Sequence, residues 1–248
     1  MQVFSIPKSF KKDFKYTFCP GCDHGIAVRL VGELLDEMGL TENTIMAASI
    51  GCSVFIYDFL NVDSIEAPHG RAMAEATGVK RVRPDKFVFT YQGDGDFASI
   101  GLAESTHAAL RAENLTGICI NNTTYGMTGG QHGPTTLIGQ KTTTSPMGRF
   151  KETYGYPIKI AEHIALCEGT AFSARVALDT VAHINQAKNA LRKAFQVQLD
   201  GLGYGFVEIL STCPTNWKMT PDEAHERVKN EMIPVFPLGI FKDKTEGK

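Results

Sequence analysis

The sequence predicts an α/β fold, a parallel sheet with helices on both faces, on three observations. Short apolar runs alternate with segments whose apolar residues recur at three- and four-residue steps. Four of the runs lead into polar or thiol-bearing residues (Cys52, Asp94, Asn122 and Cys213), as ligand groups do outside the carboxyl ends of parallel strands. The 248 residues, 43% of them apolar, are enough to enclose one large core.

Taken in order, residues 1–18 read as an extended arm whose Phe4, Ile6, Phe10, Phe14 and Phe18 are too apolar for a free tail, so it is expected to pack on the body. Over residues 25–38, Ala27, Leu30, Val31, Leu34, Leu35 and Met38 keep helical spacing, and Gly39 supplies the stop. Residues 45–50 form a short buried strand that presents Cys52, and an irregular stretch follows to Gly70. Residues 71–82 are helical until Arg83-Pro84-Asp85 breaks them. A strand over 86–92, a helix over 99–111 and a strand over 115–120 complete a βαβ unit. The Thr- and Gly-rich stretch 126–149 is longer than an ordinary connection and reads as an active-site loop. Then come a helix near 158–167, a strand over 171–177, a helix capped by Asp179 running to about Leu199, and a strand over 206–210 that delivers Cys213. The chain 1–248 thus reads as one domain, with the arm 1–18 and a short tail from about 214 to 248, charged and frayed from Lys242 onward.

Twenty-five basic against twenty-seven acidic residues, with no basic stripe, argue against nucleic acid as a partner. No apolar run approaches the roughly 18 residues that span a bilayer, and the amino terminus carries lysines in place of a signal-peptide apolar block, so a cytoplasmic location and no membrane are expected. In that compartment six cysteines are metal ligands or buried apolar groups rather than disulfides.

Gly93-Asp94-Gly95, followed after 25 residues by Asn121-Asn122, has the logic of a magnesium-diphosphate site. Magnesium takes hard oxygen ligands, and glycines let backbone approach phosphate. Asp94 would give a carboxylate, Asn122 a side-chain carbonyl and Thr124 a backbone carbonyl. A lone G-D-G also describes a polar turn; the spacing, the intervening helix and the strand-end placement favour the site. Cys19-x-x-Cys22, with Cys52 after 29 residues and Cys213 after a further 160, fits four thiolates on an iron-sulfur cluster, and spacing alone fits structural zinc as well. Cys119, inside an apolar strand, and Cys167, in a helix, read as inert core residues.

The stretches Cys19-Pro20-Gly21-Cys22, Ile50-Gly51-Cys52-Ser53, Pro68-His69-Gly70-Arg71-Ala72, Gly93 to Asp96, Asn121 to Gln131 and Cys213-Pro214-Thr215-Asn216, in this order, resemble the beta subunit of 2-oxoacid:ferredoxin oxidoreductases over nearly the whole chain. The resemblance implies the diphosphate-binding half of a thiamine diphosphate-binding fold, with thiamine diphosphate, Mg2+ and a [4Fe-4S] cluster as cofactors. It assigns Cys19, Cys22, Cys52 and Cys213 to the cluster. It brings the His69-Gly70-Arg71 turn to the cofactor, where the histidine and nearby amides hold diphosphate oxygens. Tyr125, Gly126 and Gln131 would cover the thiazolium; His24 either joins the cofactor or caps its helix.

The implied reaction is oxygen-sensitive oxidative decarboxylation of a 2-oxoacid with coenzyme A, giving acyl-CoA, CO2 and reduced ferredoxin, with the cofactor as electron sink. The implied partners are an alpha subunit carrying the glutamate that activates the cofactor, gamma and ferredoxin-like delta subunits, and ferredoxin. The isolated chain is accordingly expected to be inactive. Relatives acting on 2-oxoglutarate often carry Lys or Arg three residues after the equivalent of Cys52, where this chain has Phe55, so a branched-chain or aryl 2-oxoacid is the expected substrate. The alternatives are 2-oxoglutarate, a non-oxidative thiamine-dependent decarboxylase or carboligase, and a zinc-stapled binding module.

Overall fold

The structure, a computed structural model, describes residues 5–245. Phe4 and the last residues of the charged tail, 246–248, lie outside them.

The chain forms helix α1 (His24–Glu37), strands β1 (Thr44–Ser49) and β2 (Asp63–Ala67), helix α2 (Ala72–Val82), strand β3 (Phe87–Gly93), helix α3 (Leu102–Leu110) and strand β4 (Thr116–Asn121). A small hairpin of β5 (Thr124–Tyr125) and β6 (Gln131–His132) follows, then helices α4 (Lys151–Tyr154) and α5 (Ile160–Leu166), strand β7 (Thr170–Ala177), helix α6 (Val181–Leu199) and strand β8 (Tyr204–Leu210). Short helices α7 (Pro214–Trp217), α8 (Pro221–Arg227) and α9 (Ile233–Val235) lead to strand β9 (Gly239–Asp243). Seven strands make one sheet in the order β2-β1-β3-β4-β8-β7-β9, parallel throughout except for β9, which runs antiparallel to β7 at one edge.

Strand alternation sorts side chains between the two faces. In β3, Phe87, Phe89 and Tyr91 enter one core with the apolar stripes of α1 and α6, while Val88 faces a second core with α2, α3 and α5. β4 behaves alike, with Ile118 and Ile120 on the first face and Cys119 on the second. Cys119 and Cys167 are both buried in that second core.

The arm packs as expected where it is described: the rings of Phe10, Phe14 and Phe18 all lie within 5.9 Å of the buried Phe59 ring, centre to centre. Ile6, however, stays 60% exposed.

Four expectations need correction. The irregular stretch before Gly70 contains the edge strand β2, whose first four residues are exposed and so carry no apolar signal. The cap of α6 is Thr180, whose hydroxyl accepts the His183 N–H; the Asp179 carboxylate goes instead to the His183 ring. The third segment of helix begins earlier, at Asp96, as one wide π-turn that precedes α3. Residues 214–245 are no tail: Val228, Met232 and Phe236 form a third core with Leu210 and Ala177, and β9 completes the sheet.

Candidate functional site

β1, β3, β4 and β8 are consecutive neighbours in the sheet, so Cys52, Asp94, Asn122 and Cys213, each just beyond one carboxyl end, emerge side by side. Two cavities open there. One is walled by Gly93, Asp94, Gly95, Asp96, His69, Thr124 and Tyr125; the other by Cys19, Cys22, Cys213, Phe18 and Phe55; His24, Cys52, Asn122, Gly126 and Met127 belong to both. Most of the residues singled out from the sequence therefore converge on two adjoining spaces, while Gly70, Arg71 and Gln131 line neither.

Asp94 is 3% exposed. Its carboxylate accepts from the Gly95 N–H at 2.9 Å and from the Thr135 hydroxyl, yet burial pushes its pKa up to about 7. A carboxylate held out of water without a cationic partner is the condition that a divalent cation relieves. The Asn122 side-chain oxygen accepts the Thr124 N–H at 3.1 Å, which leaves one lone pair free for a cation. Asp94, Asn122 and Thr124 all line this cavity and could offer the hard oxygens that magnesium prefers.

Asp96 is different in kind from its neighbour. Its two oxygens are taken up by the Ser49 hydroxyl, the Gln92 amide, the His69 ring and the Gly70 N–H. It holds the His69-Gly70 turn and β3 together and has no acceptor capacity left for a cofactor. The bond to His69 Nδ1 directs the other ring nitrogen away from Asp96, and His69 lines the cavity. Gly70, at φ +78°, serves this hub through its backbone. Arg71 does not line the cavity; its side chain is 45% exposed and pairs with Glu104. Gly95 is required by close approach, because a Cβ there would lie 2.2 Å from the Tyr125 ring.

His24 stacks on Phe18 with ring centres 4.9 Å apart, and its Nδ1 meets the Tyr91 hydroxyl at 2.8 Å. Burial drives its pKa down to about 3, so it is neutral, and it walls both cavities rather than capping α1.

The four thiols gather. A Cβ on Gly126 would sit 3.4 Å from Cys52 Sγ and 3.5 Å from Cys213 Sγ, and Cys19 and Cys22 line the same cavity. Burial pushes Cys22 up to about 12 and Cys52 to about 11, and each is raised further by Cys213 nearby. Such thiols stay protonated unless metal takes the proton's place. The Cys19–Cys22 loop is clasped to Cys213 by the buried Asp23, which accepts from the Thr212 N–H and meets the His225 ring, both at 2.9 Å; the Thr212 hydroxyl also donates to Gly21 O at 2.7 Å. Among the described residues, no three of His, Cys, Asp and Glu close on a position for a single metal ion.

Sequence reasoning missed Ser49, Gln92 and Thr135, which grip the two aspartates across the fold, and the clasp at Asp23. Only the Thr-rich composition of the long loop hinted at Thr135.

Residues 44–209 match the family described as thiamine pyrophosphate enzyme, C-terminal TPP binding domain. The chain is 44% identical over 228 residues to a ketoisovalerate oxidoreductase subunit VorA of Methanothermobacter thermautotrophicus, covering 92% of this chain and 48% of that one. It is 39% identical to a 2-oxoglutarate synthase subunit KorB of Methanocaldococcus jannaschii, covering 81% of this chain and 70% of that one. The chain spans about half the length of the VorA relatives it matches. Its fold superposes with a TM-score of 0.79 and 25% identity on a 2-oxoglutarate:ferredoxin oxidoreductase from Magnetococcus marinus solved with 2-oxoglutarate, coenzyme A and succinyl-CoA bound, covering 96% of this chain and 85% of that one.

Proposed function

Because the chain belongs to the thiamine pyrophosphate enzymes, among the subunits of 2-oxoacid oxidoreductases, we propose that it is the cofactor-binding beta subunit of a 2-oxoacid:ferredoxin oxidoreductase that converts a 2-oxoacid and coenzyme A into acyl-CoA, CO2 and reduced ferredoxin. The observation that carries this reading is the common wall of His24, Cys52, Asn122, Gly126 and Met127 between the two cavities. A simple decarboxylase has no use for four thiols against its cofactor pocket, whereas an oxidative one needs an electron acceptor there.

In this reading Asp94, Asn122 and Thr124 hold Mg2+, and Gly93, Gly95 and His69 receive the diphosphate. Thiamine diphosphate, when bound, supplies the electron sink for decarboxylation. The chain's own residues do the positioning: Asp96 fixes the His69 ring, the Tyr125 ring lies against Gly95, and the neutral His24 packs between cofactor and cluster pockets without adding charge. Cys19, Cys22, Cys52 and Cys213 hold a [4Fe-4S] cluster. Structural zinc is the alternative for four thiols, and analysis of iron, sulfide and zinc separates the two.

The partner alpha subunit supplies the activating glutamate, with gamma and ferredoxin-like delta subunits completing the assembly. All six cysteines are free thiols, and no helix among the described residues is long and apolar enough to cross a membrane; both suit a cytoplasmic enzyme. For substrate, the residue three places after Cys52 is Phe55, which offers no cation to a second carboxylate and so favours a branched-chain or aryl 2-oxoacid.

The test is anaerobic purification of the native complex with analysis of iron, sulfide, magnesium and thiamine diphosphate, followed by viologen reduction across a 2-oxoacid panel. Brown protein that turns over 2-oxoisovalerate faster than 2-oxoglutarate is expected. Zinc without iron, or turnover with no electron acceptor, refutes the oxidoreductase; preference for 2-oxoglutarate refutes the substrate assignment alone.

A further inference from the structure

Asn216 lies three residues beyond Cys213, and nothing above gives it a role. Its side-chain nitrogen donates to Cys213 Sγ at 3.2 Å and to the Gly126 carbonyl at 2.9 Å. One hydrogen of the amide thus points at the thiol cavity and the other at the loop that covers the cofactor cavity. The fit is tight. A Cβ on Gly130 would come within 3.0 Å of the Asn216 side-chain oxygen, so the loop passes there only as glycine, at φ +79°. Gly126 is itself placed between the sulfurs of Cys52 and Cys213 and the Asn122 amide.

We propose that Asn216 is a positioning residue that sets the reduction potential of the cluster and tethers the cofactor loop to it. The inference rests on the cluster assigned under the proposed function. An N–H···S bond draws charge from a ligating sulfur and so favours the reduced, more negative cluster; hydrogen bonds to sulfur are among the principal determinants of such potentials. Because one rigid amide makes both bonds, movement of the 126–130 loop changes the hydrogen bond at Cys213. A hydrophobic residue at 216 would fill the space and make neither bond. A carboxylate would place charge against the sulfur and repel the Gly126 carbonyl.

The experiment compares wild-type, Asn216→Leu and Asn216→Asp complexes, purified anaerobically. Iron and sulfide are counted first; the cluster midpoint potential is then read by redox titration with electron paramagnetic resonance, and thiamine diphosphate affinity by equilibrium dialysis. Both variants should keep the cluster and shift its midpoint to more negative potential, Asn216→Asp further than Asn216→Leu, with cofactor affinity weakened several-fold. Unmoved potentials with iron present overturn the inference, as does loss of the cluster in both variants, which would make Asn216 a structural support only. An iron-free wild-type complex overturns the proposed function, and the inference falls with it.

Discussion

Replacing Asp94 by Asn should make the cofactor-free protein more stable while abolishing Mg2+-dependent cofactor binding. Asparagine keeps the shape, can accept from Gly95 and can meet the Thr135 hydroxyl, so what changes is the charge. Burial raises the Asp94 pKa from 3.8 to about 7. A carboxyl whose folded pKa exceeds its unfolded one destabilises the fold progressively as pH rises from about 4 to about 7, and by a constant amount above that. At about 1.4 kcal/mol per pKa unit the penalty reaches an order of 4 kcal/mol, or roughly 10 °C in Tm for a chain of this size. Thermal unfolding of cofactor-stripped wild-type and Asp94→Asn protein should therefore diverge at pH 8 and nearly coincide at pH 4, with the variant the more stable. Titration with Mg2+ and thiamine diphosphate should stabilise only the wild type, and its affinity should fall about tenfold per pH unit below 7 as the proton competes with the cation. Equal stability at pH 8, or retained Mg2+-dependent binding by the variant, would refute the reasoning.

Three further outcomes follow from particular contacts. Gly95→Ala should displace the Tyr125 ring and lower cofactor affinity while leaving iron content unchanged, because its new Cβ would lie 2.2 Å from that ring; unaltered affinity by dialysis would contradict the close approach. His225 is held above the ordinary imidazole range first by its hydrogen bond to Asp23. The stability it contributes should be full below about pH 6.5 and lost as pH rises through the raised value, a slope in Tm against pH that His225→Gln should flatten. Glu208→Gln leaves Arg175, fully buried, without its fully buried partner at 2.9 Å, and should cost about 3–5 kcal/mol in denaturant unfolding; a loss below 1 kcal/mol would mean that the Glu162 contact is sufficient.

Much of the fold was legible because its central strands are apolar on both faces. Phe87, Phe89 and Tyr91 on one side and Val88 on the other announce a covered strand as plainly as the spacing in α1 announces a helix. β2 was not legible, since an edge strand reading Asp-Ser-Ile-Glu exposes its side chains and obeys no apolar pattern. The carboxy-terminal segment escaped for another reason: Val228, Met232 and Phe236 find their partners at the ends of β7 and β8, contacts set by tertiary position and not by local period. At the candidate site, the residues offered to the cavity were readable as motif letters, but their supports were not. Nothing local to Asp96 says that Ser49 and Gln92 consume its carboxylate, and nothing local to Arg71 says that Glu104 draws it to the surface.

The clasp at Asp23 bears on how metal would enter. In small zinc domains the ligands are scattered until the ion arrives, and metal binding and folding are one event. Here residues near opposite ends of the chain are already fastened by Asp23 to Thr212 and His225 and by Thr212 to Gly21. The ordering entropy of the socket is spent during folding, so iron would meet a prepared receptacle. Assembly should then be a filling step on a folded protein, and removal of the metal should leave the sheet standing with its mouth open.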